Sequence, residues 1–226
     1  MNINSIGKRF LDNNSKALKL FSVVYSFFSL NRYCVFGRHN KIDKDYAFLN
    51  RCYFKINGSN NKVIFHGTCR FKKCRFIING NNNIFHFYSV SANDVEFYSE
   101  NSNNKLIIGN KTNLCGKAHI ALIEGTKIEF GENCLLSSEI IFRTGDSHSV
   151  LDLEGKRINP SKDVIIGNHV WIGNRVLINK GVHIPDNCII GNGSVVTRKF
   201  DQNNVVIAGN PAKIVKENIN WDSARI

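Results

Sequence analysis

The chain is short of acidic residues: 18 Asp and Glu stand against 30 Lys and Arg, for a net charge of +12. That imbalance favours an anionic partner, whether nucleic acid, an acidic membrane surface, an acidic glycan or a phosphorylated cofactor. The cations are spread along the chain with no dense run. No homeodomain-like, zinc-finger or RNA-binding signature accompanies them, so nucleic acid is not the expected partner. The seven cysteines include no Cys-x-x-Cys. Nor do the histidines show metal-ligand spacing, so no metal is expected. An odd number of cysteines at irregular spacing suits small core side chains in a reducing compartment. No apolar run is long enough to span a bilayer. The best, Ala17 to Leu30, is interrupted by Lys19. Basic residues precede it as in a signal peptide, but no small-x-small cleavage site follows. A cytoplasmic protein is expected.

What the chain has instead is a repeat. A polar, polar, apolar pattern returns at Ile42, Val63, Ile84, Leu106, Ile128, Val164 and Val182, at intervals of 21, 21, 22, 22, 36 and 18 residues. A chain that returns to one pattern about every 20 residues winds a solenoid, each coil burying its apolar face on its neighbours. The single long interval must expel a loop, over about residues 143–162. From 108 onward the pattern is strictly hexameric. Ile166, Ile172, Ile178, Ile184, Ile190 and Val196 fall six apart, with Val170, Val176, Val182, Cys188 or Ser194 four residues after each of the first five. Cys134 holds the same kind of small inward position. Six residues make one short strand and a corner, and three such sides make a triangular coil. The stretches Asn57-Gly58-Ser59-Asn60-Asn61 and Asn79-Gly80-Asn81-Asn82-Asn83 are turn chemistry, suited to a polar ladder at one corner.

The ends differ from this middle. Residues 1–33 carry Ile6, Phe10, Leu18, Phe21, Val24, Tyr25 and Phe28 at roughly helical spacing with cations between. This segment reads as a helical cap over the first coil's open edge. Its basic amphipathic character also suits rest on an anionic bilayer. Residues 34–202 are the solenoid. Residues 203–226 form a tail that must cover the last coil, with a short helix expected around Lys213–Asn220.

Three segments carry a resemblance: Ile166-Gly167-Asn168-His169-Val170-Trp171-Ile172-Gly173, Ile190-Gly191-Asn192-Gly193-Ser194-Val195-Val196, and Ala208-Gly209-Asn210-Pro211-Ala212-Lys213. They resemble the hexapeptide-repeat acyltransferases. Asp146-Ser147-His148-Ser149 with Arg157-Ile158-Asn159-Pro160 looks most like the polysaccharide and sugar O-acetyltransferases among them. The resemblance implies an all-β, left-handed parallel β-helix, here of about seven to eight coils. It also implies a homotrimer and acetyl-CoA as co-substrate. On it, Trp171 lines the acyl cleft, Gly173 admits the pantetheine arm, and a backbone N–H near Gly173 stabilises the oxyanion. Ser194, Ala208, Gly209 and Lys213 flank coenzyme A, and Lys213 meets a phosphate with Arg198 or Lys199 nearby.

The chemistry asks for a similar set. A sugar hydroxyl attacks a thioester only with a general base in reach, and His is the side chain whose pKa suits that task. His148 lies on the expelled loop, and Asp146 is placed to orient it as a carboxylate does in a triad. His119 faces either the same cleft or the open coil surface, and His169 and His183 are expected on the surface. The expected function is acetyl-CoA-dependent O-acetylation of a sugar or surface polysaccharide. Two rivals stand beside it: N-acetylation of an amino-sugar nucleotide, and a non-catalytic β-helix scaffold.

Overall fold

In the computed structural model, which describes residues 15–224, one helix (α1, Ser15–Phe28) precedes 24 short strands wound into eight coils. The coils distribute their strands over three sheets, the eighth coil giving none to the second, and the strands pair in parallel with the coil above and below except in the C-terminal hairpin. The first sheet has eight strands, from Arg32–Phe36 to Val195–Val196. The second has seven, from Lys41–Asp43 to His183–Ile184. The third has nine, from Phe48–Asn50 to the C-terminal hairpin.

Burial follows the hexad. Ile166, Ile172, Ile178, Ile184, Ile190 and Val196 are all buried, as are Cys134 and Cys188. In the wider early coils phenylalanine fills the prism: Phe54 stacks on Phe76 at 4.4 Å and Phe76 on Phe97 at 5.0 Å, so successive coils align ring on ring. The alignment read from sequence slips by one at the third coil. Val63 pairs with Phe85 rather than Ile84, and Phe85 is the buried residue while Ile84 lies on the outer side. A one-residue shift reverses every side chain in a strand, and the larger ring took the inner side.

Asparagine forms the expected corner ladder. Asn61 bonds Asn40, Asn83 bonds Asn61 at 3.0 Å, and the backbone of Asn104 bonds Asn83 at 2.9 Å. Glycine is required beside it. A Cβ at Gly58 would stand 1.9 Å from the Gly80 carbonyl oxygen, and its φ of +134° excludes other residues as well.

The tail corrects one expectation. Residues Ala212–Lys216 are a strand, not a helix, and pair antiparallel with Val206–Gly209. Ala212 and Ile214 turn toward the core while Lys213 and Val215 turn out, a period of two that suits a strand. The last edge of the third sheet is thereby paired.

Candidate active site

The expelled segment leaves the sixth coil between Ile140–Arg143 and Val164–Ile166, at the corner joining the first sheet to the second. Its base is tied down on both legs. Thr144 is buried and its hydroxyl meets Thr126 Oγ1 at 2.7 Å and the Ile123 amide at 3.0 Å. The Lys162 amide donates to the Thr144 carbonyl at 2.9 Å. Between them the loop folds on itself through an antiparallel bridge of Leu151 with Arg157.

Asn159 is the loop's inner tie. Its Nδ2 donates to Asp146 Oδ2 and to the His148 carbonyl, each at 2.8 Å, and its Oδ1 accepts from the Val150 amide at 2.8 Å. Arg157 locks the outside: Nη1 reaches Glu124 Oε1 at 2.5 Å, and Nε reaches Asn159 Oδ1 at 3.1 Å. The Arg157 guanidinium, then Ser161, hold the Glu124 carboxyl down at about 2.

His148 is exposed, and no side chain among the described residues holds its ring. Asp146, expected as its direct partner, is engaged elsewhere. Its Oδ2 is bonded by Lys180 Nζ and by Asn159. The Lys180 hydrogen bond outweighs the opposing effect of burial and, with a smaller contribution from Asn159, holds its carboxyl below the usual range. Asp146 therefore acts on His148 only through Asn159, which grips the His148 backbone. Lys180 comes from the same corner one coil on and also donates to the Asn159 carbonyl at 3.1 Å. Lys180, Glu124 and Asn159 were not assigned roles from sequence. Once the 36-residue step is read as one coil, Phe142 pairs with Ile178, and residues 179–181 fall beside the loop.

The residues expected to hold coenzyme A gather at a different corner, between the third sheet and the first. A Cβ at Gly173 would stand 2.3 Å from Asn192 Oδ1, and one at Gly191 would stand 2.8 Å from Ala208 Cβ. Side chains are excluded there, which leaves an edge of bare backbone that fits a slender acyl-carrying arm. The Gly173 amide is occupied by the Ile190 carbonyl at 2.9 Å, and the Asn174 amide by Asn192 Oδ1 at 2.8 Å. Neither is free to hold an oxyanion. Ser194 is fully buried: its hydroxyl donates to the Gly191 carbonyl at 2.7 Å and accepts from the Gly209 amide at 3.1 Å. It ties the hairpin turn to the edge. Lys213 is exposed. Arg198 lies over the Phe200 ring at 5.1 Å, and Lys199 lines a different cleft, beside the second sheet.

Trp171 is only partly exposed and its Nε1 reaches Ser137 Oγ at 3.4 Å. The tail supplies a second indole that sequence reading missed. Trp221 stacks on His169 at 4.2 Å, donates to its carbonyl at 2.8 Å, and lies 6.1 Å from Trp171. His169 is thus half-covered rather than free on the surface. His119 sits on the outer side of the first sheet, 3.1 Å from Glu96. Burial lowers its pKa, with Glu96 opposing and Arg143 adding to the shift.

The comparisons agree with this architecture. A family model described as "Bacterial transferase hexapeptide (six repeats)" matches residues 163–198. The polysialic acid O-acetyltransferase of Neisseria meningitidis is 41% identical over 180 residues, covering 77% of this chain and 81% of that protein. The polysialic acid O-acetyltransferase of Escherichia coli O1:K1 is 35% identical over 118 residues, 52% of this chain and 38% of that longer relative. The crystal structure of the polysialic acid O-acetyltransferase OatWY superposes with a TM-score of 0.75 at 35% identity, over 87% of this chain and 92% of that one. The chain belongs to the hexapeptide-repeat acetyltransferases.

Proposed function

We propose that this protein transfers an acetyl group from acetyl-CoA to a hydroxyl of an acidic surface polysaccharide of the polysialic acid type, with His148 as general base. The observation that carries the reading is the free His148 ring on a loop whose backbone is locked by Asn159, Lys180 and the Arg157–Glu124 pair. A base is useful when its ring can turn to a substrate while its backbone cannot drift. His148 takes the proton of the acceptor hydroxyl and, once protonated, is the acid at hand for the leaving group. Acetyl-CoA supplies the activated carbonyl and the thiolate that departs.

An acidic acceptor is supported by a cleft of about 650 Å³ at the loop's base, where Lys127, Lys162 and Lys199 outnumber the one carboxylate, Asp163. Such cations suit a carboxylate-bearing sugar. The bare edge at Gly173, Gly191 and Gly209, with Lys213 beyond it, is the proposed seat of coenzyme A. In one chain that edge and the His148 loop lie at opposite margins of the first sheet. A homotrimer, in which the loop of one copy meets the edge of the next, would close the site. Seven free cysteines suit a reducing compartment such as the cytoplasm.

The test is thiol release from acetyl-CoA with polysialic acid as acceptor, followed by analysis of the product bond. The expected product is an ester labile to hydroxylamine. His148→Ala should slow transfer by roughly 10²–10⁴-fold and leave coenzyme A binding intact. A hydroxylamine-stable amide product, or wild-type turnover in the variant, would overturn the assignment.

A further inference from the structure

The capping helix is turned inside out. Its fully covered residues are Ser22 and Ser26, both polar. Ser22 donates to the Lys19 carbonyl of its own helix at 2.8 Å, while Ser26 serves the open edge of the third sheet. Ser26 Oγ donates to the Ala47 carbonyl and accepts from the Leu49 amide, each at 3.1 Å. Phe21 and Tyr25 complete the contact by packing on Phe48 at 5.9 and 5.7 Å.

The consequence is an apolar face left in water. Leu20 is 67% exposed, Phe27 80%, Phe28 76% and Leu30 74%, with Val23 and Val24 also exposed on the same helix. Phe27 and Phe28 meet edge to face at 5.2 Å. The face continues onto the first strand, since Val23, Phe27 and Tyr33 line one cleft with Lys44. Val35 and Phe36 on that strand are exposed too. A contiguous patch of this kind marks an interaction surface.

Charge identifies the occupant. Residues 15–51 hold seven cations, Lys16, Lys19, Arg32, Arg38, Lys41, Lys44 and Arg51, against two carboxylates. Both carboxylates are already paired, Asp43 with Lys41 at 2.8 Å and Asp45 with Lys19 at 3.9 Å. Pairing of this face with itself across a two-fold axis would set two such basic surfaces against each other and be repelled. A bilayer with anionic headgroups satisfies both features at once, taking the aromatic side chains at the acyl boundary and the cations at the phosphates. No described helix is long and apolar enough to cross a membrane. We propose that the helix and first strand dock the enzyme peripherally on an anionic lipid surface, through Leu20, Phe27, Phe28 and Leu30 with the surrounding Lys and Arg.

The test is co-sedimentation of the full chain with vesicles of phosphatidylcholine alone and of phosphatidylcholine mixed with phosphatidylglycerol. Binding is expected to the mixed vesicles only, and should weaken as added salt screens the surface. The Phe27→Ser, Phe28→Ser double variant alters side chains that the fold leaves exposed. Its unfolding temperature and its activity on soluble acceptor should match wild type, while its vesicle partitioning falls about tenfold or more. No binding to mixed vesicles, equal binding to neutral ones, or undiminished binding by the double variant would overturn the proposal. So would light scattering in which the double variant has a smaller mass than wild type, since a second copy would then be the occupant.

Discussion

Asn159 bonds Asp146 and the His148 backbone with the same side-chain nitrogen, 2.8 Å from each acceptor. The carboxylate that sequence patterning pairs with the histidine ring is thus joined to the histidine by way of an amide. Lys180 reaches the same carboxylate oxygen, Oδ2, from the next coil. The loop is positioned by its backbone, and the ring is left free for a substrate.

Asn159→Ala should therefore damage turnover more than substrate affinity. It removes the link from Asp146 to His148 and the bond to the Val150 amide together. A loss of about 10- to 100-fold in kcat is expected, from misplacement of the base rather than its removal. The KM for acetyl-CoA should hold, because the bare-backbone edge is at another corner. Amide exchange over residues 146–159 should speed up while that of the coils does not. An unchanged kcat would show that the loop needs no such tie.

The Glu124–Arg157 pair gives the loop a pH dependence of definite sign. Glu124 falls from an ordinary value of 4.5 to about 2 when the loop is closed on it. A lowered acid pKa stabilises the closed state fully above the ordinary value, and the contribution is lost as pH drops from 4.5 toward 2. Both side chains are about one-third exposed, so solvent screens the effect. Protection at residues 157–161, taken relative to the intrinsic exchange rate at each pH, should be flat from pH 8 to pH 5 and fall below about 4.5. Glu124→Gln should exchange faster at neutral pH and lose that dependence. A variant as protected as wild type at pH 7 would remove the pair from the loop's stability.

Much of this was legible in the chain, for identifiable reasons. The hexads from Ile166 to Val196 announced the prism because each coil buries one apolar residue per side, and a strict period leaves no freedom of register. The 36-residue interval announced the loop because a stacked coil cannot absorb extra residues. The slip at Ile84 arose where Ile-Phe-His-Phe offers an apolar residue at both parities, so that the pattern alone cannot choose the inward one. The Asp146 partner was misassigned because proximity in sequence suggested His148. The actual partner, Lys180, lies 34 residues away and is near only through stacking. Trp221 was missed because a tail outside the repeat has no period to locate it. The sequence left cap and bilayer contact both open for the helix, because helical spacing gives the apolar face but not the direction in which it is turned.

The proposed homotrimer would bring the two separated corners together. Light scattering should give about three times the chain mass of 25.6 kDa. Activity should also be shared between copies. Neither His148→Ala, with its intact edge, nor Ala208→Trp, which fills that edge, should turn over well alone. Subunit-exchanged mixtures of the two should regain about a quarter of wild-type activity, the chance that an intact loop faces an intact edge. A monomeric active enzyme, or no recovery on mixing, would require both halves of the site to come from one chain.

Lys213 offers the last and most specific check on the donor side. It projects outward from the terminal strand, between the inward Ala212 and Ile214. No ion pair among the described residues engages it. Its neighbours in sequence logic are committed elsewhere: Arg198 rests on Phe200, and Lys199 lines the cleft by the second sheet. Lys213 is thus an unpaired cation, among the described residues, on the hairpin that borders the bare edge. If it meets the 3′-phosphate of coenzyme A, Lys213→Glu replaces a charge-assisted contact by repulsion and should weaken coenzyme A about tenfold or more. Dephospho-coenzyme A lacks the partner and should lose far less. The difference should also shrink with added salt, because the residue is exposed and its charge is screened. Calorimetric titration of both ligands against both proteins measures all four affinities. Equal weakening of the two ligands would mean that Lys213 serves some part of the donor other than the 3′-phosphate.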